Sequence, residues 1–158
     1  MNNTTNRIAE EFYAAFKNKD ADGMKKLYHT ELQFVDPAFG KLDYQQASAM
    51  WSMLCESAKD LVIDFSIISS DDKAVKIKWI AEYSFSKTNR FVHNEIIASM
   101  TIEDGLIIEH IDSFNLHKWA RQALGLQGLI LGGTKFFRNK LQTQTNRQLS
   151  KYINLSST

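Results

Sequence analysis

Up to about residue 57 the apolar positions recur every three or four residues; from there to residue 114 they recur every two. Ile8, Phe12, Ala15 and Phe16 share one face of a helix over residues 5–19, with Glu10 and Glu11 early and Lys17 and Lys19 late, as a helix dipole favours. Asp20 then caps a short second helix through Met24, Leu27 and Tyr28, and residues 32–36 read as a strand that Pro37 and Gly40 end. A third helix over 44–57 carries Ala47, Met50, Trp51 and Leu54 on one side. Four strands follow, marked by Leu61, Ile63, Phe65 and Ile67, by alternate residues from Val75 to Phe85, by alternate residues from Val92 to Met100, and by Ile108, His110, Asp112 and Phe114. The turns between them, at 69–72, 87–90 and 103–105, are short and polar and suit antiparallel hairpins. Three helices followed by a meander make an α+β fold, with the helices held against one face of a curved sheet.

Beyond residue 115 the helical period returns with Trp119, Ala120, Ala123 and Leu124, and Gly125, Gly128, Gly132 and Gly133 read as helix breaks before a last helix from 134 to about 153. The glycines lack the lysine and the spacing of a phosphate-binding loop. In the last helix Phe136, Phe137 and Leu141 lie at one end and Leu149, Tyr152 and Ile153 at the other, so its ends rather than its polar middle, 142–148, are expected to pack. This division sets a domain over residues 1–115 apart from a helical extension of it over 116–158.

Composition adds little to that picture until charge is mapped onto it. The net charge is only +1, but residues 1–112 hold 12 Lys/Arg and all 18 Asp/Glu, whereas 113–158 hold 7 Lys/Arg and no acid. Seven charges over that length are too dilute to point to nucleic acid, and the segment is expected to cover a pocket mouth or pack on a second subunit. No stretch approaches the roughly 20 apolar residues of a membrane span, and the start of the chain lacks a basic, then apolar, leader pattern. The single Cys55 fits a reducing compartment and has no neighbouring metal ligand. A cytoplasmic protein without membrane, metal or organic cofactor is the expectation.

Chemistry enters through carboxylates on apolar strands. Asp36 ends the first strand, and Asp112 lies two residues from His110 on the last, so His110, Asp112 and Phe114 share a face. A charge taken out of water costs several kcal/mol unless it is paired or neutralised, so such groups mark candidate sites. Asn94, on the preceding strand, could join His110 and Asp112 across a hairpin, with Asp36 completing the group from across the fold. Tyr28, Trp51, Trp79, Tyr83 and Phe114 would supply an aromatic lining for a flat apolar molecule. Each residue also has a plainer role: Asp36 as a turn aspartate bonding the backbone beyond Pro37, His110 as a satisfied core histidine, Asp112 as a partner of His110, Lys118 or Arg121, and the aromatics as core.

The order of elements, together with Asp20-Ala21-Asp22-Gly23-Met24, Val35-Asp36-Pro37 with Gly40, and Asp104-Gly105-Leu106-Ile107 leading to His110, Asp112 and Phe114, resembles the nuclear transport factor 2-like superfamily over about residues 7–117, and within it the SnoaL-like and ketosteroid-isomerase-like groups. The resemblance implies a cone-shaped (cystatin-like) antiparallel or mixed sheet wrapped around N-terminal helices, with a pocket at its open end. It also implies a general base at Asp36 and, as in SnoaL-like cyclases, an acid–base aspartate at Asp112. The isomerases' oxyanion pair is not retained, since its positions fall on Phe12, with Tyr13 one step off, and on Ala98, so ketosteroid isomerase activity is rejected.

Two functions remain open. One is acid–base isomerase, cyclase or lyase chemistry on a hydrophobic, carbonyl-bearing compound, with Asp36, His110 and Asp112 as the catalytic group and Tyr28, Trp51, Trp79, Tyr83, Asn94 and Phe114 binding the ligand. The other is a non-catalytic ligand-binding or dimeric interaction protein of the same fold. A homodimer is expected, because Ile97, Ile107 and Ile111 would fall on the sheet face that the helices leave bare.

Overall fold

The computed structural model describes residues 3–157. Three N-terminal helices and three C-terminal helices flank one six-stranded, curved, unclosed sheet. In chain order the elements are α1 (Thr4–Lys17), α2 (Ala21–Lys25), β1 (Tyr28–Asp36), β2 (Gly40–Leu42), α3 (Tyr44–Ser57), β3 (Val62–Ser70), β4 (Ala74–Ser84), β5 (Phe91–Glu103), β6 (Leu106–Ser113), α4 (Leu116–Leu124), α5 (Leu126–Leu131) and α6 (Lys135–Ser156).

Local sequence accounts for the helix starts. The Asn3 side chain accepts from the Thr5 amide, Asp20 accepts from Gly23, and Asp43 and Gln46 form a reciprocal capping box at α3. Along α1, Ile8, Phe12 and Phe16, with Ala9 and Tyr13 beside them, make the buried stripe that the apolar spacing predicts. The second helix is shorter than expected. It ends at Lys25, so Tyr28 opens β1 instead of closing α2.

The strands lie in the order β2-β1-β6-β5-β4-β3. β3 to β6 form the antiparallel meander that the period-two pattern predicts, and β1 pairs with β6 in parallel, Phe34 beside His110 and Val35 beside Ile111. The β5–β6 hairpin turns through Asp104 and Gly105, both at positive φ (53° and 78°), the conformation of a tight two-residue hairpin. The pairing of β5 with β6 then slips by one residue between Thr101 and Ile102, and that bulge turns Ile107 inward. Strict alternation places Ile107 outside with Ile97 and Ile111. In the fold Ile107 is fully buried, while Ile97 and Ile111 keep 36% and 39% of their surface.

The inner face of the sheet carries Phe34, Val75, Ile77, Trp79, Ile96, Ala98 and Met100 against α1 and α3. A second, smaller cluster joins Val92 on β5 to Leu116, Trp119, Ala120 and Ala123 on α4. α4 is tied to the β4–β5 hairpin by Thr88 Oγ1 donating to the Ala123 carbonyl (2.5 Å) and by Arg90 Nε donating to the Gln122 carbonyl (2.8 Å). Gly125 ends α4 at φ 68°, as the sequence implies, but Gly128 is not a break. It lies inside α5, where a Cβ would stand 1.9 Å from the Ala120 carbonyl oxygen, so only glycine allows α5 to fold back on α4.

α6 docks through its polar middle, contrary to the expectation that its ends would do so alone. Gln142 Nε2 donates to the Pro37 carbonyl (3.1 Å), Thr145 Oγ1 to that of Ala38 (2.8 Å) and Asn146 Nδ2 to that of Phe39 (2.8 Å). These three donors satisfy successive carbonyls of the turn between β1 and β2, the kind of backbone group that must be paired if it is to be covered. One turn further on, Leu149 is buried and Tyr152 donates to Glu56 of α3 (2.7 Å).

Candidate functional site

Parallel pairing brings the carboxylates together. Phe34 lies beside His110, so two residues on, with the same side-chain direction, Asp36 and Asp112 occupy neighbouring strands on the inner face. Asp36 therefore reaches the group from the adjacent strand and not from across the cone. α1 closes over the same ground, and the His110 ring is fully buried among Phe12 (centroids 5.4 Å apart), Phe34 (5.1 Å) and Trp51 (6.2 Å, stacked).

Within this aromatic enclosure runs a directed chain of hydrogen bonds. Trp51 Nε1 can only donate, and it donates to Tyr28 Oη (2.9 Å). The Tyr28 proton is thus left for His110 Nδ1, 2.7 Å away. With Nδ1 accepting, the neutral ring carries its proton on Nε2, which faces Asp112 Oδ1 at 3.0 Å. Trp79 Nε1 donates to the same oxygen at 3.3 Å. Two donors converging on one carboxylate oxygen suit the ionised form of Asp112. Asp112 makes no ion pair with Lys118 or Arg121 among the described residues.

Asp36 differs in kind. Its Oδ1 accepts from the Phe39 amide at 2.5 Å, the turn bond that the sequence admits as its plainer role. It keeps part of its surface at solvent, yet burial pushes its carboxyl from the ordinary 3.8 up to about 7, opposed by the Phe39 amide and reinforced by the charge of Asp112. Asp36 thus exchanges its proton near neutrality, next to a histidine–aspartate pair, under the turn that α6 covers.

Tyr13 is the residue that sequence reasoning did not place in the site. Its hydroxyl is buried without a hydrogen-bond partner among the described residues, and its pKa is raised first by burial and then by the Asp112 charge and Tyr28. An unpaired buried hydroxyl costs about 1–3 kcal/mol, so it marks a place where a polar atom of another molecule would be welcome. The available signal was its single-step offset from the isomerase tyrosine position, together with a helix face wide enough to turn both Phe12 and Tyr13 inward.

Two of the other expected residues lie elsewhere. Asn94 is on the inner face but pairs with Ala81, four residues along β5 from Ala98, the partner of Asp112, so the hairpin does not gather it with His110. Tyr83 and Phe114 both pack between the two clusters, and the Tyr83 hydroxyl faces the second, where it accepts from Trp119 Nε1 (2.7 Å). His93 and Glu95 fall on the outer face, where His93 bonds Glu82 (3.1 Å). Among the described residues no group of three or more His, Cys, Asp or Glu side chains could hold a metal ion, and no helix is long and apolar enough to cross a membrane.

The curved six-stranded sheet and its flanking helices have the fold of nuclear transport factor 2-like domains. Within it, the chain matches the SnoaL-like domain over residues 9–110, well over half its length, and belongs to that family. Solved structures of the same fold include an LEH-like epoxide hydrolase from M. tuberculosis (17% identity, TM-score 0.61, covering 81% of this chain and 96% of that one). Another is a ketosteroid isomerase-like-fold protein from Catenulispora acidiphila in complex with trimethylamine (14%, TM-score 0.66, 75% and 93%). A third is IdmH, a putative polyketide cyclase from Streptomyces antibioticus (16%, TM-score 0.62, 73% and 95%). No curated protein matches the chain.

Proposed function

We propose that the chain binds a hydrophobic, carbonyl-bearing small molecule on the inner face of the cone and moves a proton on it, with Asp36 as the acid–base group and His110 and Asp112 as its electrostatic support. The observation that carries this reading is the placement of Asp36, whose carboxyl burial pushes up to about 7, on the strand beside a buried His110–Asp112 pair. The chemistry would be proton abstraction next to a carbonyl, or the related lyase and cyclase steps. It accords with the hydrolase and putative cyclase among proteins of this fold. Tyr13 would offer its free hydroxyl to the carbonyl oxygen as charge develops there.

The test is solvent-deuterium exchange at the α-carbon of an enolisable fused-ring ketone such as 2-tetralone, followed by NMR in D2O. Accelerated exchange in the presence of the protein is the expected result. Ketone binding without exchange would sink the catalytic role. It would leave the second reading, a non-catalytic ligand-binding or dimeric interaction protein of the same fold; the aromatic rings packed around His110, which leave little room there for a substrate, favour it.

The exposed pair Ile97 and Ile111 on the outer face supports a homodimer formed through the sheet. Sedimentation equilibrium at micromolar concentration is expected to give twice the chain mass; a monomer there would remove this proposal.

A further inference from the structure

A cleft of about 280 Å³ opens between α4, α5, the β4–β5 hairpin and α6, beside Trp119 of the second cluster. Its wall is apolar, formed by Phe85, Trp119, Phe137 and Leu141, and two lysines line it from different elements, Lys87 in the hairpin turn and Lys140 on α6. Neither lysine pairs with a carboxylate among the described residues. The segment 113–158, which supplies most of the wall, carries seven basic residues and no acid. We propose that this cleft is a second binding site, for a free amphipathic carboxylate: a short alkyl or aryl-alkyl acid whose apolar body lies against Trp119 and whose head is met by Lys87 and Lys140.

Three features favour such an occupant. The volume of about 280 Å³ falls just short of the usual range of ligand pockets, about 300 to 1,000 Å³, so the cleft takes one small molecule and not a helix or a loop. The walls are fixed before any ligand arrives: Trp119 is held by its bond to Tyr83, and the hairpin is tied to α4 through Thr88 and Arg90. Two unpaired cations over an apolar wall discriminate among ligands of equal tail. They favour a carboxylate over an alcohol and reject an amine. The site shares no residue with the Asp36 group and does not depend on the reaction proposed there.

The test is calorimetric titration of the full chain with octanoate, octanol and octylamine. Octanoate is expected to bind one per chain, about fivefold tighter than octanol, with octylamine weakest. The double variant Lys87→Gln, Lys140→Gln, at two exposed positions, should bring octanoate down to the octanol value, and Leu141→Trp, which fills the cleft, should weaken both. Asp36→Asn should leave octanoate binding unchanged. Equal affinity for acid and alcohol in the unaltered chain would overturn the proposal. So would capture of the chain by anionic phosphatidylserine vesicles with no octanoate binding, which would make this face a lipid surface. Loss of octanoate binding on self-association would do the same, since a second copy would then be the occupant.

Discussion

Replacing His110 with phenylalanine is expected to destabilise the fold by about 3–5 kcal/mol, the usual cost of leaving a buried charge, here the Asp112 carboxylate, without its main partner. At about 2–4 °C per kcal/mol for a chain of this size, that is a fall of roughly 10 °C in thermal midpoint. Phenylalanine keeps the ring contacts with Phe12, Phe34 and Trp51, so the loss comes from the two nitrogens. Without Nδ1, the Tyr28 hydroxyl has no acceptor for its proton. Without Nε2, Asp112 is left with only the longer bond from Trp79. The double variant His110→Phe, Asp112→Leu removes both ends of the pair and should recover a large part of the loss, because an apolar pair leaves no buried charge uncompensated. If His110→Phe alone melts within a degree or two of the unaltered protein, the inner polar chain is not an ionic one and Asp112 cannot support a base.

The sequence made the meander and α3 legible because their signals are local: alternate apolar residues from Val75 to Phe85, and an aspartate with a glutamine three residues later at the start of a helix. It could not show the pairing on which the site depends. Phe34 and His110 meet in a parallel register across 76 positions of chain, and nothing in either segment encodes its partner. The misplacement of Ile107 has a different origin, since a bulge shifts the period without altering the residues that carry it. The spacing of Tyr28 from Met24 and Leu27 fits a helix, and its place on β1 instead is what lets its hydroxyl reach His110.

The expectation that the middle of α6 does not pack rests on its lack of apolar residues, which is a rule about burying hydrocarbon. A helix can also dock by supplying donors to carbonyls that a turn leaves unpaired, and Gln142, Thr145 and Asn146 do so at Pro37, Ala38 and Phe39. The C-terminal helix thus fixes the turn that supplies the Phe39 amide to Asp36, which links the basic extension to the candidate site. The roles expected of Asp36, His110 and Asp112 and their plainer alternatives occupy the same geometry. Asp36 does bond its turn, and His110 is satisfied on both nitrogens. What separates the two readings is how Asp36 responds to losing its charge.

Asp36→Asn is accordingly expected to do two opposite things. Asparagine keeps an oxygen for the Phe39 amide but carries no proton to lose, so α-proton exchange on a bound ketone should fall by about a hundredfold or more while ketone affinity is retained. In the unaltered protein the exchange rate should rise with pH through about 7 as the carboxylate forms. Stability should move the other way. The folded protein holds the Asp36 proton more tightly than the unfolded chain does, so this group's contribution is complete below about pH 4, falls as pH rises from about 4 to about 7, and is flat beyond. Discounted for the solvent that still reaches the side chain, the loss amounts to about 1–2 kcal/mol. Asparagine does not suffer that loss, so Asp36→Asn should melt at the same temperature as the unaltered protein near pH 4 and about 5 °C higher at pH 8. A midpoint several degrees lower at neutral pH would instead mean that the carboxylate is needed to hold its turn, and the catalytic reading would lose its base.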